Sequence, residues 1–237
     1  MQKVYDCTII NFVMKSRQMS DSILIALLIT LSGGLQDAYT YFGRDHVFAN
    51  AQTGNIVLLG AHMLDGNIQA MLRYLMPVLC FACGVFIAEQ IQARYRNSRH
   101  IHWRQMILLI EIISLTLSAF LPREMNSAAN SLVSFSCAMQ VQSFRKADGY
   151  PYASTMCIGN LRSGMDAFSR WIRTKDPQAL NGFLHYLLVI SVFLIGAVTG
   201  YGLIPHFGMY TILVSSVLLG IACMFLFADR NIQQAKT

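Results

Sequence analysis

Six long apolar runs, separated by short polar stretches, dominate the hydrophobic pattern of the chain. A membrane-spanning helix needs about 20 mostly apolar residues. Six runs meet or approach that length: Ser22–Phe42, Tyr74–Ala93, Gln105–Leu121, Ser127–Phe144, Phe183–Leu203 and Phe207–Ala228. A seventh apolar piece, Asn55–Leu64, is about 15 Å long as a helix, which is half a bilayer. The pattern predicts an all-α integral membrane protein with six transmembrane helices in a single membrane domain, residues 1–237.

The composition excludes a soluble, disordered or disulfide-stapled protein. The chain is 54% hydrophobic and 13% charged, whereas a soluble domain carries about 25% charged residues. Four of the six cysteines (Cys80, Cys83, Cys137 and Cys223) fall inside apolar runs, where they cannot form an extracellular framework. We therefore expect the lipid bilayer to be the main partner of this chain.

Basic residues cluster in alternate links between the runs. The net charge is +6, but this alternation is typical of membrane topology and not of a nucleic-acid partner, so we expect none. Six crossings with heavy loops inside predict a multi-pass protein whose N- and C-termini are both cytoplasmic. The heavy segments contain Lys3, Lys15 and Arg17; Arg94, Arg96, Arg99 and Arg104; Arg145, Lys146, Arg162, Arg170, Arg173 and Lys175; and Arg230 and Lys236.

The two halves of the chain follow the same plan. In each half a span is followed by a polar stretch with a Gly-Asn pair, then a short helix and two further spans. The pairs are Gly54-Asn55 and Gly159-Asn160, which are 105 residues apart. Three spans per half is an odd number, so the halves, residues 21–126 and 127–230, must insert with opposite orientation. This predicts two inverted three-helix repeats, each with a short half-helix or interfacial helix after its first span, as in many secondary transporters.

The first span contains polar residues and two glycines where a lipid-buried helix is expected. Gly33 and Gly34 are followed by Gln36 and Asp37. Paired glycines lower helix stability by about 1 kcal/mol each, so we expect the span to be interrupted here. A carboxylate inside a span is a functional candidate by default. In the alternative interpretation the glycines only allow close helix packing, and Asp37 lies near the interface and pairs with Arg44.

The Gly-Asn pairs open the two short helices. Thr53 and Asn55, which flank Gly54, are good N-cap residues, and a helix N-terminus offers N–H groups and partial positive charge to an anion. The same residues equally suit a plain cap on the membrane surface. Asn160, next to Gly159, is expected to provide the matching polar contact in the second half.

Three further polar features lie within or beside the spans. Glu111 is about two turns inside the third span, where it would either accept a proton in a transport cycle or form structural hydrogen bonds. Gln140 in the fourth span would either line a pore or hold helices together. The second short helix carries Arg162, Asp166 and Arg170 on one face, which predicts an interfacial amphipathic helix with an ion-pair ladder.

Two stretches resemble the YoaK family of bacterial inner-membrane proteins, which is classed as a domain of unknown function. They are Gly34–Tyr39 continuing through Phe48–Asn55, and Met139–Lys146 with Pro151-Tyr152-Ala153 and Gly159–Ser163. The resemblance covers nearly the whole chain, although Ile158 stands where family members more often have Thr. It implies the bacterial cytoplasmic membrane and small-molecule transport.

These features together favour a secondary transporter or facilitator of a small polar solute, with its site near the midplane around the first span. Asp37 would be the ion-coupling or solute-binding group and the two glycines the hinge. Asn55 and Asn160 would be the polar contacts, with Gln36 and Gln140 as second choices.

The alternative function is a non-transporting membrane component, such as a sensor or assembly partner, that binds lipid or protein through its basic links. An enzyme is not expected, because the sequence has no nucleophile–base pair, metal-ligand spacing or cofactor fingerprint. No cofactor or metal is expected either. Gly196-x-x-x-Gly200 would mediate either a homo-oligomer or packing within one chain.

Overall fold

A computed structural model describes residues 21–96 and 102–234, with side chains up to residue 228. The described residues form eight α-helices, two short 3-10 turns and a two-stranded antiparallel hairpin, β1 (Lys146–Ala147) with β2 (Tyr150–Pro151). The helices are α1 (Ile23–Gly43), α2 (Gln52–Leu64), α3 (Ile68–Tyr95), α4 (Trp103–Phe120), α5 (Asn126–Ser143), α6 (Cys157–Thr174), α7 (Pro177–Phe207) and α8 (Leu213–Gln234).

Four helical segments in the described part of the chain are long and apolar enough to cross a membrane: Ile23–Gly43, Ile68–Tyr95, Trp103–Phe120 and Pro177–Ala228. The chain is therefore an all-α membrane protein, apart from the small hairpin. The last segment contains both α7 and α8, and α5 is too polar to qualify by composition. The prediction of six crossings accordingly stays a prediction.

Helix α5 is polar because most of its surface contacts protein. Asn130, Ser134, Ser136 and Gln140 on this helix are all buried. Small and polar residues favour contacts between helices in lipid, since apolar side chains have no preference for protein over lipid tails. The composition of α5 thus follows from its central position.

Glycines bring α1 and α7 into direct backbone contact. A Cβ atom on Gly34 would overlap the carbonyl oxygen of Phe193, and one on Gly196 would overlap the carbonyl oxygen of Leu31. Gly200 faces Leu35 in the same way one turn later. From the contact of Leu31 with Gly196 to that of Leu35 with Gly200, the chain advances by four residues in both helices. Helices α1 and α7 therefore run in the same direction. Gly196-x-x-x-Gly200 therefore packs within the chain, while the predicted homo-oligomer stays a prediction.

Helices α3 and α5 form a second close pair of the same kind. A Cβ atom on Gly84 would overlap the carbonyl oxygen of Phe135, and Ala138 lies 2.9 Å from the same point. Further along, Glu89 forms an ion pair with Arg145, just beyond α5, at 2.8 Å. This pair also runs in one direction.

Helix α8 runs antiparallel to α4. Thr116 donates a hydrogen bond to Ser216 at 3.3 Å, and the rings of Phe120 and Tyr210 lie 5.8 Å apart. The chain enters α8 from α7 through a reversal at Gly208, whose φ of +55° suits a residue without a side chain. The apolar core packs between these helices and α1.

Several predictions about the helices are corrected by the structure. The first span is not interrupted: α1 is continuous from Ile23 to Gly43, because the close contact with α7 compensates for the low helix propensity of its glycines. The fifth span continues to Phe207 and its turn follows at Gly208–Ile212, later than predicted. The first short helix starts at Gln52, three residues earlier than predicted. The predicted basic residues Lys3, Lys15, Arg17, Arg99 and Lys236, and the side chain of Arg230, lie outside the described residues.

Candidate functional site

The loop after α1 folds back along the helix that it leaves. Two residues in left-handed conformation, Asp45 and His46, reverse the chain direction. Asn50 then donates from its backbone N–H to Asp37 Oδ1 at 2.9 Å, and from its side chain to the carbonyl of Gly33 at 3.2 Å. Gly33 lies ten residues, or about 15 Å, before the end of α1. The loop therefore reaches the middle of the bundle.

A second loop reaches the same point from the opposite end. The hairpin after α5 is tied to the start of α1 by a hydrogen bond from Asp148 to the carbonyl of Asp21 at 2.7 Å. Ser154 then accepts a hydrogen bond from Gln140 at 2.8 Å. Thr155 follows, and its methyl carbon lies 2.6 Å from the position that a Cβ atom on Gly33 would occupy. Gly33 thus separates the tips of the two loops.

The two Gly-Asn pairs hold these loops with the same hydrogen bonds. Asn55 accepts from the N–H of Phe48 at 3.2 Å and donates to its carbonyl at 2.7 Å. Asn160 accepts from the N–H of Ala153 at 3.3 Å and donates to its carbonyl at 2.8 Å. Both asparagines are buried. Each asparagine is the fourth residue of its short helix and bonds back to the residue seven positions earlier, so it closes the loop that leads into that helix.

The predicted capping role of Thr53 and Asn55 is wrong. The N-cap residue of α2 is Ala51, which makes no side-chain capping bond, and Thr53 is exposed inside the helix. Asn55 is used to close the loop and so cannot cap. A Cβ atom on Gly54 would lie 3.1 Å from the ring of Phe48, whereas a Cβ atom on the exposed Gly159 would have nothing within 4 Å.

Asp37 faces the tip of the first loop and not Arg44. Its side chain is half-buried, and the N–H of Asn50, just before α2, supplies its hydrogen bond. The alternative pairing with Arg44 is wrong, because Arg44 is fully buried elsewhere. The guanidinium donates to Tyr39, Asn126 and the carbonyls of Ser118 and Leu121.

A buried polar cluster lies on the adjacent face of α1. Gln36 donates from its side chain to Ser32 at 2.8 Å and to Glu111 Oε1 at 3.3 Å. The thiol of Cys137 donates to the side-chain oxygen of Gln36. The side chains of Gln36, Glu111 and Cys137 are completely inaccessible, so α1, α4 and α5 share one closed hydrogen-bonded group.

Four of the predicted residues, Gly33, Asp37, Asn55 and Asn160, belong to the two loops or contact them. Gln140 joins them through Ser154 and also donates to the carbonyl of Ile29 at 3.4 Å. Gln36 and Glu111 form the separate buried cluster, while Gly34 serves helix packing. Within the part of the chain that the structure describes, Thr53 forms no side-chain hydrogen bond, and Gly54 and Gly159 have no polar side chain to offer.

Two residues at the loop tips were missed by the sequence reasoning. Asn50 and Thr155 are 4% and 6% exposed, and Asn50 Oδ1 and Thr155 Oγ1 have no hydrogen-bond partner among the described residues. A signal was available, since each residue precedes its Gly-Asn asparagine by five positions. Cys137 and the burial of Arg44 gave no comparable signal.

Cavities open at both ends of the bundle. One of about 360 Å³ lies at the end where α1 finishes, beside Arg73, Arg123 and Asn126. Another of about 630 Å³ lies at the end where α1 begins, beside Arg162, Asp166 and Arg170. Within that second cavity Arg170 pairs with Asp166 at 3.5 Å, which is one of the two ion pairs of the predicted ladder. The pairing of Arg162 with Asp166 stays a prediction. The described residues contain no group of three or more metal-ligating side chains.

Comparison with known proteins identifies the family. The chain is 25% identical over 201 residues to "UPF0700 transmembrane protein YoaK" of Bacillus subtilis (strain 168). The matched region covers 81% of this chain and 88% of that protein. No solved structure matches. A family model described as "Protein of unknown function (DUF1275)" matches residues 25–225. The chain therefore belongs to the DUF1275 family of membrane proteins.

Proposed function

We propose that this chain is a secondary transporter or facilitator for a small polar solute in the bacterial cytoplasmic membrane. The observation that carries the proposal is the pair of polar loops that enter from opposite ends and meet on either side of Gly33, with Asp37 beside them. Non-helical backbone at membrane depth is tolerated where it is enclosed in protein or lines a path for water and solute.

Paired helix contacts support six crossings arranged as two inverted repeats. The parallel pair α1–α7 joins the first and fifth spans, and α3–α5 joins the second and fourth. An inverted repeat that relates spans one to three to spans four to six converts one pair into the other. The identical bonds of Asn55 and Asn160 obey the same relation. With basic links inside, both chain termini are cytoplasmic.

The N-termini of α2 and α6 supply partial positive charge where the two loops meet. Helices α2 and α6 begin just after Asn50 and Thr155 and have 13 and 18 residues. Both therefore direct N-terminal partial positive charge toward the middle. Asp37 neutralises part of this charge. Asn50 Oδ1 and Thr155 Oγ1, which have no hydrogen-bond partner in residues 21–96 and 102–228, remain for a solute with N–H or O–H donors.

Alternating access follows from the same arrangement. The first loop closes the path toward the end where α1 finishes, and the second closes the path toward the other end. Each is fastened by one asparagine at its base. Displacement of one loop at a time would open the site to one side only, which is the requirement for a secondary transporter.

A ligand screen tests the proposal. Purified protein is screened by thermal shift against a library of small polar metabolites, beside Asp37→Asn. A ligand at a hundred times its Kd stabilises by about 2.7 kcal/mol, and we expect Asp37→Asn to lose that gain. The matched control is Asp65→Asn, whose carboxylate is 67% exposed at the end of α2 and should leave the shift unchanged.

Flux measurements with the ligand found would complete the test, in vesicles that contain wild-type protein or Asp37→Asn. Uptake by the wild type that the variant lacks supports transport. If no metabolite stabilises the protein and only anionic lipid does, the transport proposal fails. The alternative function then applies, a non-transporting membrane component that binds lipid through its basic links.

A further inference from the structure

Glu111 is a buried carboxyl group that the solute site does not use. It lies in α4 with no exposed surface, and Oε1 accepts one hydrogen bond, from the amide nitrogen of Gln36 at 3.3 Å. Its second oxygen, Oε2, has no hydrogen-bond partner among the described residues. A carboxylate that is taken out of water without a cation costs several kcal/mol, so such a group takes up a proton instead.

Among the described residues, the charged and titratable groups on the surrounding elements do not include a counter-ion for Glu111. Arg44 donates to Tyr39 and to the carbonyls at the end of α4, two or more turns from Glu111. Arg104, two turns before Glu111 on α4 itself, pairs with Asp21. The groups on the faces packed toward α4 are Asp37 and Arg44 on α1, Cys137 on α5, Cys223 on α8, Tyr210 in the 3-10 turn, and Glu89 on α3, which is paired with Arg145.

The hydrogen-bond directions around Gln36 distinguish a proton from a metal cation. The thiol of Cys137 donates to the oxygen of Gln36, which leaves the amide nitrogen to face Ser32 and Glu111. A sodium or calcium ion needs several oxygen ligands, whereas Glu111 faces an N–H donor. We infer that Glu111 is a proton-binding site, and that the ion coupled to solute movement is a proton held on Oε2.

A polar route connects this oxygen to one end of the bundle. Ser114 and Ser118 follow Glu111 on the same face of α4. They lie about 4.5 and 10.5 Å further along the helix axis. Ser118 Oγ is buried beside the hydroxyl of Tyr39, and the carbonyl of Ser118 accepts a hydrogen bond from Arg44. Arg44 in turn bonds Asn126, which lines the cavity where α1 finishes. When water enters from that cavity, the O–H bond breaks at Oε2 and the proton passes to water, leaving Glu111 as the carboxylate.

Because the coupling role rests on the proposed transport function, the experiment reads the protonation state directly. Infrared spectra of the full chain in lipid are recorded at neutral pH in H₂O and D₂O. We expect the carbonyl stretching band of a protonated carboxylic acid, shifted in D₂O, in wild type and in Glu89→Gln, whose carboxylate is half-exposed and ion-paired. Glu111→Gln should lose one protonated carboxyl per chain.

Asp37→Asn separates the two carboxyls of the middle region. A band that survives Glu111→Gln and disappears in Asp37→Asn overturns the inference, as does a wild-type spectrum without the band. The S–H stretch of Cys137, assigned with Cys137→Ala, checks that the cluster of Glu111→Gln remains folded. If the band behaves as expected but the metabolite screen finds no ligand, the transport proposal fails while the proton site stands.

Discussion

Substitution of Gly196 by Ala tests the contact that joins α1 to α7. The added methyl group would overlap the carbonyl oxygen of Leu31 and lie 3.0 Å from its carbonyl carbon and 3.2 Å from its Cα. All three atoms are backbone, so no side-chain rotation relieves the overlap. Gly202 lies on the same helix with nothing within 4 Å of an added Cβ atom, and it provides the matched control.

The magnitude follows from two opposing terms. An extra methyl group in a packed interface costs about 1–3 kcal/mol, and rigid backbone atoms place Gly196→Ala at the upper end of that range. Alanine regains about 1 kcal/mol through helix propensity. We therefore expect Gly196→Ala to lose about 2 kcal/mol of unfolding free energy and Gly202→Ala to gain about 1 kcal/mol.

Thermal unfolding of the two purified variants in the same lipid or detergent measures this difference. For a chain of this size 1 kcal/mol corresponds to about 2–4 °C in Tm, so the variants should differ by about 6–12 °C. Equal Tm values would show that α1 and α7 are not in backbone contact at Gly196, and the paired-helix reasoning would then be wrong.

Three further predictions concern the loops and the buried arginine. Arg44→Lys should lose at least about 3 kcal/mol of unfolding free energy, because an ammonium group cannot match the four bonds of the guanidinium; Arg73→Lys, at a cavity mouth, should change the Tm little. Asn55→Ala and Asn160→Ala should each cost about 1–3 kcal/mol by leaving one backbone N–H and one carbonyl unpaired, and a thermal shift in one variant alone would contradict their equivalence. Burial raises the pKa of Tyr152 in the folded chain, so stability should fall as pH rises above about 10, where the unfolded tyrosine ionises; Tyr152→Phe should weaken that fall in an unfolding series at alkaline pH.

The helices could be predicted from sequence because their signals are local. Apolar runs of about 20 residues predicted the long helices, and the 105-residue offset of the Gly-Asn pairs predicted a repeated plan. The loop-closing hydrogen bonds that Asn55 and Asn160 share were not predicted. Helix ends were less accurate. Gly33 and Gly34 predicted a break because propensity is local, whereas the contact between Gly34 and Phe193 that keeps α1 continuous joins residues far apart in the chain.

The site could be predicted only in part, for the same reason. Asp37 was found because a carboxylate in an apolar run is conspicuous. The partner of Asp37 was not found, since the sequence offered only Arg44, two turns later, and that residue instead bonds Asn126 and the carbonyl of Ser118. Asn50 and Thr155 were missed because their matching positions, five residues before Asn55 and Asn160, do not by themselves show that the loops turn back into the bundle.

The burial of Arg44 has a consequence for biosynthesis. Its partners Ser118 and Asn126 are 74 and 82 residues further along the chain. At a synthesis rate of about 5–20 residues per second, these partners follow about 4–16 s after Arg44. During that time the guanidinium has none of these partners and needs water or lipid headgroups. Helix α1 can therefore take its final depth in the membrane only once α4 has emerged. Insertion of this chain must accordingly be completed in groups of helices and not one helix at a time.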